Sequence, residues 1–169
     1  MKKCLVLFII IAYALLFASC IVSYARADDI AFNSCTDTVV QIKITKSEGK
    51  MQLLNNCDDA IKTYKVRLGL NKGAKQCDGD MKTPEGTYKI IEKRNSKYVK
   101  FLALDYPRKK DIERARDIGC KPGDSIGIHA WIEGLPKEGS QGCITVWTKK
   151  EILEINKLVK TGTTVVIRP

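Results

Sequence analysis

Thr38-Val39-Val40-Gln41-Ile42-Lys43-Ile44-Thr45-Lys46 sets Val40, Ile42 and Ile44 against Gln41, Lys43 and Thr45. A period of two is the mark of a strand with one buried face. Ser47-Glu48-Gly49 turns the chain into Met51-Gln52-Leu53-Leu54, which reads as the hairpin partner. Asn55 to Asp59 is polar, after which Tyr64, Val66, Leu68 and Leu70 alternate as a third strand. Residues 71–87 hold Gly73, Gly79, Pro84 and Gly86 and read as a loop, and Tyr88 to Ile91 is extended again. Pro107 to Ile118 puts Ile112, Ala115 and Ile118 on one helical face, with Gly119 as its stop. Asp124 to Ile132 reads as a strand carrying His129. Thr148 and Glu151 form the capping box of a second helix with the apolar stripe Ile152, Ile155, Leu158 and Val159. Gly162 ends that helix, and Thr163 to Ile167 is a last strand. The pattern predicts a mainly β fold with two packed helices.

The composition fits a globular chain of one domain: 169 residues, 44% hydrophobic and 28% charged. Residues 1–27 depart from that average. Lys2 and Lys3 precede an uncharged run from Cys4 to Val22, and Ala25-Arg26-Ala27 ends it with small residues before Asp28-Asp29. Such a segment reads first as a cleaved secretory signal, second as an uncleaved anchor, and third as a lipoprotein signal processed at Cys20. All three send residues 28–169 to the periplasm or cell envelope, with membrane contact only if the segment stays or is lipidated. Residues 28–37 then form a lead-in, and 38–169 the folded domain. Removing residues 1–27 takes three basic residues and no acid, leaving 26 against 19, a charge of +7. That surplus suits an anionic polymer or membrane surface, and the compartment argues against nucleic acid.

Five cysteines remain: Cys35, Cys57, Cys77, Cys120 and Cys143. In an oxidising compartment an odd count flags one as free and reactive. No C-x-x-C occurs, which removes zinc-ribbon and thiol-redox readings, and a single histidine leaves no metal site or cofactor to expect. His129, as that single histidine, must serve any Cys/His chemistry. Fourteen residues on stands Ser140-Gln141-Gly142-Cys143-Ile144. A cysteine after glycine can expose its sulfur at a sharp bend beside backbone N–H groups suited to an oxyanion. An adjacent imidazole would activate the thiol. The plain alternative makes Cys143 half of a disulfide, and spacing alone does not separate the two.

Gly79-Asp80-x-x-Thr83-Pro84-Glu85-Gly86-x-Tyr88, then Ile126-x-Ile128-His129, then Ser140-x-Gly142-Cys143-Ile144, resembles the L,D-transpeptidase catalytic (YkuD-type) domain from about Val39 to Pro169. Arg114-x-x-Asp117-x-Gly119 resembles the short single-domain periplasmic branch, some members of which cleave peptidoglycan bonds instead of making cross-links. The resemblance implies a β-sandwich-like catalytic fold. It implies Cys143 as nucleophile, His129 as general base and acid, and the N–H groups of Gly142 and Cys143 as oxyanion donors. A backbone carbonyl would orient the histidine, with Ala130 and Ser140 the positions to inspect. Thr83, Pro84 and Glu85 would be structural, Pro84 and Gly86 also suiting a type I turn. With Cys143 as the odd cysteine, Cys35 would pair with Cys57 and Cys77 with Cys120.

Many family members have His at Gln141, Gly at Ala130 and Arg at Thr145, and that arginine helps hold an anionic stem peptide. These departures touch the substrate more than the chemistry. The resemblance implies a cofactor-free acyl transfer through a Cys143 thioester from a peptidoglycan stem peptide to an amine. The amine would come from a second stem or a wall-anchored protein, and carbapenem-type β-lactams would acylate Cys143. With water as acceptor, the same Cys143–His129 pair would make an amidase or peptidase. A wall-binding module with a structural Cys143 is the remaining class.

Overall fold

Strand β1 (Gln41–Thr45) buries Ile42 and Ile44 completely, the alternation its sequence carries. Gly49, at a φ of 57°, closes the turn to β2 (Lys50–Leu54), which pairs Ile44 with Met51 and Ile42 with Leu53. β3 (Ala60–Arg67) follows antiparallel, with Tyr64 and Val66 inward. It ends at Arg67, so Leu68 and Leu70 lie beyond the third strand. The computed structural model describes residues 34–169. The signal segment 1–27 and all but the end of the lead-in 28–37 fall outside those residues. Residues 36–169 form one unit.

After a long loop come β4 (Gly86–Ser96), β5 (Val99–Leu104), helix α1 (Lys109–Asp117), β6 (Gly127–Ala130), β7 (Ile144–Val146), helix α2 (Lys149–Leu158) and β8 (Thr164–Arg168). The strands close in the order β1-β2-β3-β7-β6-β5-β4-β8. β3 and β4 each serve two sheets, pairing with β2 and β8 in one and with β7 and β5 in the other. The mainly β fold with two helices is therefore what the chain adopts, as a barrel drawn into two sheets. Ile42, Leu53, Ile90, Leu102, Ile128, Ile144 and Val165 fill its interior.

Helix α2 starts at the Thr148 capping box, the Thr148 hydroxyl accepting from the Glu151 N–H at 3.1 Å. It buries Ile152 and Ile155 against β5 and β6. Helix α1 differs from its predicted face. Ile112 and Ile118 are 49% and 52% exposed, and Ala115 and Asp111 point inward. Asp111 is held there because its carboxylate accepts from the Arg108 N–H at 2.9 Å, the Tyr88 hydroxyl at 3.1 Å and the Arg114 guanidinium at 2.9 Å. A carboxylate satisfied three ways at a helix N-terminus tolerates a burial that apolar periodicity does not foresee.

Candidate active site

β6 and β7 run parallel, with Ile128 opposite Ile144 and His129 opposite Thr145. Cys143 immediately precedes β7, so strand pairing alone brings the only histidine and the free cysteine to neighbouring strand positions. Both line one cleft of about 760 Å³. Among the described residues Cys143 is the free thiol, Cys77 and Cys120 form a disulfide, and Cys35 and Cys57 are each disulfide-bonded.

The histidine is oriented by its own strand. Its Nδ1 lies 2.9 Å from the Ala130 carbonyl oxygen. A carbonyl only accepts, so Nδ1 carries the proton and Nε2 keeps its lone pair. The Tyr98 ring stacks on the imidazole at 4.2 Å between centroids, and Phe101 follows at 5.9 Å. Tyr98 reaches this place from the tight β4–β5 connection, where Ser96 pairs with Val99. Phe101 lies flat there because Gly127 has no side chain, since a Cβ would fall 2.5 Å from the Phe101 ring. Burial holds the His129 pKa below its ordinary value, only partly opposed by the Ala130 hydrogen bond.

Burial likewise pushes the Cys143 thiol up, against a backbone hydrogen bond from Gly127 and the positive charge of Lys75. The thiol donates to the Ser125 carbonyl at 3.5 Å. Both shifts favour uncharged forms, so the resting pair is a thiol beside a neutral imidazole. Lys75 is only 3% exposed, and its ammonium donates to Asp80 at 2.9 Å and to the Cys77 carbonyl at 3.0 Å. Burial raises the Asp80 pKa, but bonds from the Gln76, Lys82 and Cys77 N–H groups and from Lys75 outweigh it and bring it to about 2. Asp80 thus contributes stability that is complete above its ordinary value of 3.8 and lost as pH falls toward 2. Asp80→Asn strands the buried Lys75 charge, and chemical denaturation of that variant is expected to show a loss of about 3–5 kcal/mol.

The loop carrying Cys143 is closed by Ser140. Its hydroxyl donates to the Cys143 carbonyl at 2.6 Å and accepts from the Gly142 N–H at 3.0 Å. Ser140 is therefore a turn residue here, and the histidine-orienting carbonyl is that of Ala130. The Gly142 N–H, expected to serve as an oxyanion donor, is held by Ser140 Oγ in this structure. Gly142 itself sits at a φ of 134°, and a Cβ there would lie 2.8 Å from the Lys82 carbonyl oxygen. Lys82, which precedes the Thr83-Pro84-Glu85 segment, thus packs against the loop that carries Cys143. Thr83, fully buried, accepts from the Gly69 N–H at 2.8 Å, and Glu85 pairs with Lys46 at 2.8 Å. Tyr98, Phe101 and Lys75 were beyond sequence reasoning, since only strand pairing and loop packing bring them near His129 and Cys143.

The family model of the L,D-transpeptidase catalytic domain (YkuD) matches residues 39–167. No curated protein matches the chain in sequence. Among solved structures, the helical cell shape determining protein Pgp2 from Campylobacter jejuni superposes with a TM-score of 0.59 at 22% identity, covering 80% of this chain and 49% of that one. Bd1075 of Bdellovibrio bacteriovorus gives 0.57 at 22% identity, with 80% and 54% covered. An L,D-transpeptidase (Yku) from Stackebrandtia nassauensis gives 0.52 at 16% identity, with 82% and 60% covered. These likenesses are of fold, and the chain spans about half the length of the first two structures.

Proposed function

The chain belongs to the L,D-transpeptidase catalytic-domain family, and from that premise we propose that it modifies peptidoglycan by acyl transfer through Cys143. The observation that carries this reading is the pairing of the free Cys143 thiol with a histidine whose Nδ1 is committed to the Ala130 carbonyl, in one cleft. Nε2 of His129 takes the thiol proton as sulfur attacks the carbonyl at stem position three. The Cys143 N–H faces the developing oxyanion, and the Gly142 N–H joins it when Ser140 Oγ lets go. The C–N bond breaks, His129 returns the proton to the departing amine of D-alanine, and a thioester remains. An amine from a second stem or a wall-anchored protein then takes the acyl group, its proton passing to His129 and back to sulfur. No cofactor enters these steps. The reading of residues 1–27 as an export signal supports a periplasmic location.

Disaccharide-tetrapeptides incubated with residues 28–169 and followed by mass spectrometry test the reading. Cross-linked dimers lacking one D-alanine are the expected product. Trimmed or released stems would assign water as the acceptor and make the protein an amidase or peptidase. Neither product from any wall fragment would remove the catalytic reading.

A further inference from the structure

Arg67 of β3 pairs with Thr145 of β7, Thr145 with His129 of β6, and His129 with Phe101 of β5. Residues opposite one another on paired strands project to the same face. Their neighbours Val66, Val146, Ile128 and Leu102 fill the core, so this row lies on the outer face, and its His129 and Thr145 line the cleft. Arg67 therefore stands two strands from the catalytic histidine, about 10 Å at ordinary strand spacing.

Its guanidinium lies 3.4 Å from the Trp147 ring centroid and 5.3 Å from that of Trp131. Trp131 and Thr145 line the cleft. Arg67 Nε and Nη1 are buried without a hydrogen-bond partner, and no other described side chain has such atoms. No described ion pair includes Arg67. Buried guanidinium donors left unpaired are destabilising, and a planar fork of N–H groups matches a carboxylate better than any other acceptor. Trp147, which lies over them, is itself 49% exposed.

We propose that Arg67 is a substrate-positioning residue that binds one free carboxylate of the acyl donor. The inference rests on the acyl-transfer reading for its substrate class, and its test is a binding measurement that needs no turnover. Cys143→Ala protein is titrated with the tetrapeptide L-Ala-D-iso-Glu-diaminopimelate-D-Ala and with three versions, each amidated at one carboxylate. Amidation of one particular carboxylate is expected to weaken binding about 10–100-fold, identifying the group Arg67 holds. Adding Arg67→Gln should weaken the unmodified peptide by the same factor and abolish the discrimination, while Arg67→Lys restores part of it. In the active protein the Gln variant should raise KM with kcat nearly unchanged. If Arg67→Gln keeps the discrimination, or weakens every peptide equally, the residue merely packs between tryptophans and the proposal falls. Loss of turnover in wild type with carboxylate discrimination intact would instead overturn the acyl-transfer reading and leave Arg67 as an anion site.

Discussion

Cys143→Ala is expected to abolish turnover of tetrapeptide stems, by about 10³–10⁶-fold, the scale on which removing a covalent nucleophile acts. In the proposed reaction the sulfur is the atom that bonds to the acyl group, and the cleft contains no other free thiol among the described residues. The fold should survive. The polar contacts of Cys143 Sγ are the Ser125 carbonyl at 3.5 Å and the backbone of Gly127, so truncation leaves no buried charge behind. A thermal melt within a few degrees of wild type, together with silent kinetics, separates chemistry from folding. Cys143→Ala that binds sacculi as well as a wild type with no turnover to lose would return the protein to the wall-binding class.

His129→Gln should lower kcat by about 10²–10⁴, the contribution of a positioned acid–base group. Glutamine can still donate to the Ala130 carbonyl and lie against Tyr98, but it cannot accept and return a proton. The pH profile carries a second signature. Burial keeps His129 below its ordinary value of 6.5, so the acid limb of kcat/KM should fall below pH 6.5. Stability has the same sign. As pH drops through 6.5 the unfolded chain binds a proton at His129 before the folded protein does, so stability present above that value is lost. In His129→Gln that component of acid destabilisation should vanish, which denaturation at pH 7.5 and pH 5.5 would show. An acid limb above pH 7 would contradict a buried, neutral imidazole.

Strands β1 and β2 were legible because one face of each is buried and one is wet, so the alternation of Ile42 and Ile44 with Lys43 survives in the sequence. β5 was not. Phe101, Leu102, Ala103 and Leu104 are all buried, the core on one side and the cleft's aromatic layer on the other, and an unbroken apolar run has no period to read. β7 has only three residues and is defined by its partners on either side. The inward Asp111 of α1 was hidden because its burial depends on Tyr88, contributed by β4. At the site, His129 and Cys143 stood out by scarcity, a single histidine and an odd cysteine. Ala130 was indicated by resemblance, and the structure gives the reason in a 2.9 Å contact. Arg67, Lys75, Tyr98 and Phe101 carry no local mark, because their positions follow from pairings tens of residues apart.

The central claim is that acyl transfer passes through sulfur at Cys143. Wild-type protein mixed with disaccharide-tetrapeptide and quenched in acid within one turnover should gain the mass of the donor less D-alanine. Trypsin should place that mass on the peptide spanning residues 138–149, which contains Cys143. Turnover without any adduct there, or the same adduct in Cys143→Ala, would contradict the account.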